Sequence, residues 1–134
     1  MLKTYIILSF LFCFNLFAET VQKLEVKGNT RISSETVKVY GEIIFDKDYS
    51  SFDINKILNN LYETNFFEDI KISLTNGVLS ITVKEYAVIN TITIQGESKT
   101  STADKVLEQL DLKAKESFIE NKLSQDVNTI KKIY

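Results

Sequence analysis

Residues 23–34 (KLEVKGNTRISS) and residues 91–102 (TITIQGESKTST) carry the same pattern, and this repeat decides the fold. Each copy runs from a short stretch of alternating apolar and polar residues into a glycine, then a polar turn, then a hydroxyl-rich helix start. Gly28 and Gly96 occupy equivalent places and are both predicted to be turn residues. Their separation of about 68 residues is the size of a small module, so tandem domains are expected and not a solenoid.

The first copy opens with a predicted strand whose inner face carries Leu24 and Val26. A short helix follows, and Ser33 or Ser34 is placed to cap its first turn. Gly41 stands where a left-handed residue would end that helix. The sequence therefore predicts a strand followed by a helix in the first 25 or so residues of the module.

A second helix has the clearest pattern in the chain. Ser50 and Asp53 resemble a capping box at its start, and Asn65 is placed to end it in a left-handed conformation. Apolar residues recur between them at helical spacing, which predicts one buried face. The residues of this face, all expected to lie in the core, are Ile54, Ile57, Leu58, Leu61 and Tyr62.

A β-hairpin is predicted where two alternating runs flank Asn76-Gly77, the dipeptide most typical of a tight hairpin turn. Three strands with one apolar face, covered by two helices, predict an α+β module of order β-α-α-β-β. Phe66 is expected to close the core and Phe67 to cover the hairpin, although a pair of aromatic interface residues is the alternative. The inward residues of the hairpin are predicted to be Ile70, Ile72, Leu74, Leu79, Ile81 and Val83.

The second copy repeats only the first part of this order. A strand is predicted at residues 88–94, then a helix capped by Ser101 or Thr102, then a second helix that begins near Ser117 or Glu120. No counterpart of the hairpin follows, and a sheet of one strand cannot satisfy its own main-chain groups. We therefore expect a fragment of a longer protein whose second module is truncated before its hairpin.

The first 18 residues have the pattern of a secretory signal peptide, in which Lys3 precedes an apolar run that ends at Ala18. An uncleaved anchor is the alternative, although the run is shorter than the roughly 20 apolar residues of a spanning helix. The predicted domains are thus residues 1–18 (signal peptide), 19–86 (first module) and 87–134 (second module, incomplete).

Composition excludes several classes of function. The only cysteine, Cys13, would leave with the signal peptide, and the chain has no His, which argues against Cys or His metal sites, disulfides and His-dependent triads. Sixteen basic and 18 acidic residues give a net charge of −2, so no nucleic-acid partner is expected. Glu68 and Asp69 are adjacent carboxylates at a strand start, where side chains leave on opposite faces and do not share one substrate.

Three motifs together resemble a POTRA domain of the BamA family, the outer-membrane protein assembly factors of Gram-negative bacteria. They are Gly28-Asn29-x-Arg31-Ile32, residues 61–70 (LYETNFFEDI) and Val83-Lys84-Glu85. The family often has Gly where Asn65 stands and Pro after the last motif, where this chain has Tyr86. Without that Pro, the hinge between the modules is expected to be less rigid.

The resemblance implies tandem POTRA modules on the periplasmic face of the outer membrane, ahead of a C-terminal β-barrel that this sequence lacks. It implies unfolded outer-membrane proteins, periplasmic chaperones and accessory lipoproteins as partners, with no catalytic residue, metal or cofactor. TamA-like proteins, two-partner secretion transporters and FtsQ-type cell-division proteins share POTRA domains and are alternatives. A secreted hydrolase that uses acidic residues is an alternative from another class.

The resemblance also implies binding by β-augmentation, in which an extended segment of a partner adds to a free sheet edge. In POTRA domains the second strand is the usual free edge. Charge on that strand, as at Lys71, is equally compatible with an edge that is only protected against unwanted pairing. The candidate binding residues are Ile70, Lys71, Ile72, Ser73, Leu74 and Thr75.

Overall fold

The structure, a computed structural model, describes residues 18–134, so the predicted signal peptide lies almost wholly outside the described residues. No helix of this part of the chain has the length and apolar character needed to span a membrane. The elements are β1 (Glu19–Thr20), β2 (Lys23–Lys27), α1 (Ser34–Tyr40), β3 (Asp48–Tyr49), α2 (Ser51–Glu63), β4 (Phe67–Thr75), β5 (Val78–Glu85), α3 (Thr100–Gln109) and α4 (Glu120–Ile133).

The main sheet is three-stranded and mixed, with the order β2-β5-β4. The central strand β5 pairs in parallel with β2 and antiparallel with β4. The α+β class, the order β-α-α-β-β and the mixed sheet are thereby confirmed. One small element was not predicted: β1 and β3 form a two-stranded antiparallel pair through Glu19 and Tyr49. Strands of two residues are too short to show an alternating pattern in sequence.

The core lies between α2 and the sheet. Ile57 and Leu61 of α2 are 2% and 0% exposed, and Phe67 at the start of β4 is 2% exposed. The hairpin residues Leu79, Ile81 and Val83 are buried with Ile70, while seven of the other predicted core residues are partly buried around them. These seven are Leu24, Val26, Ile54, Leu58, Phe66, Ile72 and Leu74.

The prediction that Tyr62 lies in the core was wrong. The residue is 40% exposed, and its hydroxyl oxygen accepts a hydrogen bond from the main-chain N–H of Ile70 at 3.2 Å. Tyr62 is the last residue of the apolar stripe and lies one residue before the end of α2 at Glu63. A phenol keeps its polar tip at the surface when a partner is available there.

The helix ends of the first module follow local hydrogen bonding. Ser33 caps α1, and Ser50 with Asp53 forms the predicted capping box at the start of α2. Hydrogen bonds from Ser50 lower the pKa of Asp53 to about 2. Gly41 was wrongly predicted to be left-handed: its φ is −70°, and Glu42 takes the left-handed place with a φ of 54°.

Crowding gives a physical reason for Gly41. Its N–H donates to the carbonyl of Val37, so the residue continues the helical hydrogen bonding and the reversal comes one position later. A Cβ at Gly41 would lie 3.1 Å from side-chain atoms of Ile43, which is buried in the core. The residue is therefore small because of a close contact and not because of its backbone conformation.

The second module differs from its prediction in two places. The strand predicted at residues 88–94 is not formed: Val88 makes an isolated bridge with Ser117, Ile89 exchanges main-chain hydrogen bonds with Lys115 and Glu116, and no strand follows in the described chain. A strand requires a neighbour, and no second strand of this module is present within residues 18–134. The helix α3 begins at Thr100 after Lys99, without a side-chain cap from Ser101 or Thr102.

Leu61 is predicted to be a principal stabilising residue. We expect Leu61→Ala to lower the free energy of unfolding by about 2–5 kcal/mol, because a fully buried side chain leaves a cavity. Phe52→Ala, on the same helix but 78% exposed, is the control and should change it by less than about 0.5 kcal/mol. Urea denaturation measures both, and equal effects would contradict the assigned core.

Gly28 is predicted to tolerate no side chain, because of its left-handed φ and because of a close contact with the central strand. Gly77 has only the first of these constraints, so a comparison of the two glycines separates their effects. Both have left-handed φ, 82° and 76°, but a Cβ at Gly28 would lie 2.1 Å from the carbonyl oxygen of Val83 in the central strand. At Gly77 the nearest atom is 3.3 Å away on the flexible side chain of Gln22. We expect Gly77→Ala to cost about 1–2 kcal/mol of unfolding free energy and Gly28→Ala about 3 kcal/mol or more. Equal losses in thermal denaturation would refute the close approach.

Candidate functional site

The strand β4 is one of the two edges of the main sheet, and all six candidate binding residues lie in it. Asn76 and Gly77 have φ of 52° and 76°, as in a type I′ turn, so Thr75 and Val78 form a hydrogen-bonded pair. In an antiparallel ladder such pairs alternate with pairs whose main-chain groups point away from each other. The outward-pointing residues of β4 are then Leu74, Ile72 and Ile70.

The outward groups of Ile72 and Leu74 are open. The main-chain N–H and C=O groups of these two residues point away from β5, and they have no hydrogen-bonding partner within residues 18–134. The outward N–H of Ile70 is instead bound to the hydroxyl of Tyr62, which independently supports the alternation. We call residues 72–75 the open stretch of β4.

A groove of about 280 Å³ runs beside the open stretch, between β4 and the start of α2. Ile54 projects into it from the helix, and Ile72 and Leu74 from the strand. A segment added to the edge would place every second side chain toward this groove, because side chains alternate along a strand. We call it the edge groove; its remaining lining residues are Glu19, Tyr49, Ser50, Ser51, Asn55 and Ser73.

The opposite face of β4 is polar. Lys71, Ser73 and Thr75 are exposed, and Lys71 makes only a distant surface contact of 3.9 Å with Asp69. Every second side chain of an added segment would therefore face water and hydroxyl groups. The open stretch itself carries no charged side chain.

The other edge of the sheet, β2, is different. It spans five residues, and Lys23, Glu25 and Lys27 alternate along its polar face. The Nζ of Lys23 lies 2.8 Å from Glu25, and its hydrogen bond and charge lower the pKa of that carboxyl. Short edges with charged side chains are protected against strand addition. The contrast makes β4 the candidate binding edge of this module.

A buried carboxylate holds the far end of the module together. The side chain of Glu85 is 6% exposed and accepts hydrogen bonds from the main-chain N–H groups of Thr30, Arg31 and Ile32 at 2.8–3.0 Å. The Nε of Arg31 lies 3.1 Å from it. The Gly28–Ile32 and Val83–Glu85 motifs, about 55 residues apart in sequence, are thus two halves of one contact.

The electrostatics of this contact favour an ionised Glu85. Burial tends to raise the pKa of Glu85, but the hydrogen bonds from Ile32, Thr30 and Arg31 and the charge of Arg31 outweigh it. The pKa of Glu85 is consequently held below its ordinary value of 4.5.

The linker between the modules has main-chain partners on both sides. The N–H of Tyr86 donates to the carbonyl of Phe66 at 3.0 Å, and Arg31 donates to the carbonyl of Tyr86 at 2.9 Å. On the far side, the N–H of Phe118 donates to the carbonyl of Ala87 at 2.7 Å. Hydrogen bonds therefore hold the linker where the family often has Pro.

The second module contains an open apolar groove of about 390 Å³, lined in part by Ile92, Ile94 and Val127. Beside it, Asp126 is 3% exposed and accepts hydrogen bonds from the main-chain N–H groups of Asp111 and Leu112. The role of Asp126 was not predictable from the sequence, because a carboxylate on a helix gives no signal that it caps a distant loop. Nowhere in residues 18–134 do three or more His, Cys, Asp or Glu side chains group closely enough to hold a metal ion.

Comparison with solved structures identifies the fold. The chain superposes on POTRA domains 1 and 2 of the periplasmic domain of Omp85 from Anabaena with a TM-score of 0.53, at 13% identity, covering 86% of this chain and 78% of that one. The N-terminal domain of Omp85 from Thermosynechococcus elongatus gives a TM-score of 0.57 at 17% identity, covering 86% and 50%. The fold is that of POTRA domains.

Sequence comparison points to one group of POTRA proteins. The chain is 29% identical over 117 residues to the outer membrane protein assembly factor BamA of Neisseria meningitidis serogroup B, and 27% identical over 93 residues to that of Neorickettsia risticii. These matches cover 86% and 68% of this chain but only 15% and 13% of the relatives. No protein-family model matches the sequence. The chain thus has the fold of POTRA domains, and its sequence is similar to a part of two BamA proteins.

Glu85 is predicted to make the first module sensitive to acid. A carboxyl whose pKa is lower in the folded than in the unfolded state stabilises the fold above its unfolded pKa, and this contribution is lost as the pH falls through the folded value. We therefore expect stability to decline below about pH 4.5. Glu85→Gln should cost about 1–3 kcal/mol of unfolding free energy at pH 7 and flatten this decline.

Glu68→Gln is the matched control, since Glu68 pairs with Lys84 at 2.7 Å on the surface, where both side chains are about half exposed or more. Its cost should stay below about 1 kcal/mol. Urea denaturation between pH 3 and pH 7 measures both variants, and the same pH dependence for Glu85→Gln and the unmodified chain would contradict the role of Glu85.

Proposed function

We propose that this chain is a periplasmic POTRA segment of an outer-membrane protein assembly factor, and that the open stretch of β4 receives extended segments of unfolded outer-membrane proteins. The observation that carries the proposal is the pair of outward main-chain groups at Ile72 and Leu74 beside the edge groove. The names of the two BamA relatives and the periplasmic origin of the Anabaena structure support the location and the process.

Main-chain hydrogen bonding suits partners that differ in sequence. An added strand exchanges N–H and C=O groups with β4, and this exchange does not depend on side-chain identity. The side chains add a preference for alternation, because the groove side carries Ile54, Ile72 and Leu74 while the other face carries Ser73 and Thr75. Strands of transmembrane barrels alternate in the same way, apolar outward and polar inward.

The proposed role is scaffolding without catalysis. Accessory lipoproteins and periplasmic chaperones belong to the proposed partners, and the link to the membrane would run through a barrel outside this sequence. The buried Glu85–Arg31 contact at the linker supports such a role, since it ties the first module to the residue that leads into the second.

We expect Ile72→Pro to abolish peptide binding at the edge while leaving the module folded. Proline removes the outward N–H of Ile72, and it is tolerated on an edge strand where that group faces solvent. Ile72→Ala is the control, because it shortens the same side chain but keeps the N–H group. The probe is an eight-residue synthetic peptide of alternating Val and Thr, titrated into the 15N-labelled full chain.

Amide shifts along β4 in the unmodified chain and in Ile72→Ala, but not in Ile72→Pro, are the expected result. A peptide of the same composition with its Val residues adjacent to one another should shift these amides less. Equal binding by all three proteins, or shifts confined to other elements, would refute strand addition at β4.

A further inference from the structure

Tyr62 closes one position of the otherwise open edge. Its hydroxyl oxygen lies 3.2 Å from the main-chain nitrogen of Ile70, the next outward N–H of β4 before Ile72. The residue is 40% exposed although the helical stripe predicts burial, so the ring spans from α2 to the strand edge at the surface. The phenol of Tyr62 therefore accepts a hydrogen bond from the N–H of Ile70, which an added strand would otherwise use for its next hydrogen bond.

An amide N–H has a single proton to donate. In a ladder, an added strand places a carbonyl oxygen about 2.9 Å from each outward N–H of the edge. The phenolic oxygen of Tyr62 already occupies that place at Ile70. A strand that extends past Ile72 toward Ile70 must therefore displace the hydroxyl or leave this position unpaired.

We propose that Tyr62 is a specificity-determining residue that ends strand addition at Ile72, so that the edge selects short extended segments. The inference rests on the proposed function, since it concerns the same edge. The segment that fits pairs with the open stretch, residues 72–75, and is about four residues long.

Features at both ends of β4 agree with this limit. Toward its start, a β-bulge lies between Phe67 and Asp69, and Glu68 forms a 2.7 Å ion pair with Lys84, so the ladder is irregular and charged there. At the hairpin end, the N–H of Gly77 donates to the carboxylate of Glu19 at 2.5 Å. The open stretch is thus bounded by Tyr62 on one side and by Glu19 on the other.

Tyr62→Phe tests the proposal, because it removes only the hydroxyl and frees the N–H of Ile70. Tyr40→Phe is the matched control: Tyr40 is also half exposed, at 50%, and its hydroxyl has no hydrogen bond within the described residues. The probes are alternating Val and Thr peptides of four and eight residues. The readouts are the amide shifts and affinities of the 15N-labelled full chain and the hydrogen exchange of Ile70 without peptide.

In the unmodified chain and in Tyr40→Phe, we expect the eight-residue peptide to bind with about the same affinity as the four-residue peptide. Both peptides should shift the amides of Ile72 and Leu74. In Tyr62→Phe, the amide of Ile70 should exchange faster when free, and it should shift when the eight-residue peptide binds. The eight-residue peptide should bind Tyr62→Phe about fivefold more tightly than it binds the unmodified chain, because one added hydrogen bond contributes about that factor to the affinity.

Two other outcomes overturn the inference in distinguishable ways. If the eight-residue peptide binds Tyr62→Phe no more tightly than the unmodified chain while Ile72 and Leu74 still shift, Tyr62 does not limit the edge and the proposed function stands. If no amide of β4 shifts in any of the three proteins, the edge takes no strand, and the proposed function fails together with the inference.

Discussion

The parallel pairing of β2 with β5 is the constraint on which the rest of the first module depends. It places the last strand of the module at the centre of the sheet, which in turn leaves β4 at the edge. It also requires the chain to approach β5 closely at Gly28, where a Cβ would meet the carbonyl of Val83. The same approach brings the turn after β2 within reach of Glu85, whose carboxylate accepts hydrogen bonds from three main-chain N–H groups of that turn.

The two edges of the sheet differ in length and in charge. On β2, alternating Lys and Glu side chains make a short, charged edge, whereas residues 72–75 of β4 are uncharged and border a groove. The Tyr62 hydroxyl and the Glu19 carboxylate take the main-chain donors on either side of that stretch. Under the proposed function, the outward main-chain donors that stay free of hydrogen bonds within the module decide where a strand can be added.

Several features were readable from the chain because their causes are local. The capping box of Ser50 and Asp53, the left-handed Asn65 and the Asn76-Gly77 turn each follow from one or two adjacent residues. Other features depend on what lies across the fold. Gly41 is small because it touches Ile43, and Asp126 is buried because it caps a loop from a different element. The predicted strand at residues 88–94 is not formed within the described residues, because propensity without a neighbouring strand does not give a sheet.

The sequence by itself determined the class of fold, the order of the main elements of the first module and the repeat, since these depend on hydrophobic periodicity and turn chemistry along the chain. It also determined the POTRA resemblance, through motifs in the right order. Only the tertiary structure decided that Glu85 meets the turn after Gly28 and that Tyr62 leaves the core to bind Ile70. Contacts between residues distant in sequence depend on the order of strands in the sheet and on their register. Hydrophobic periodicity along the chain predicts neither of these.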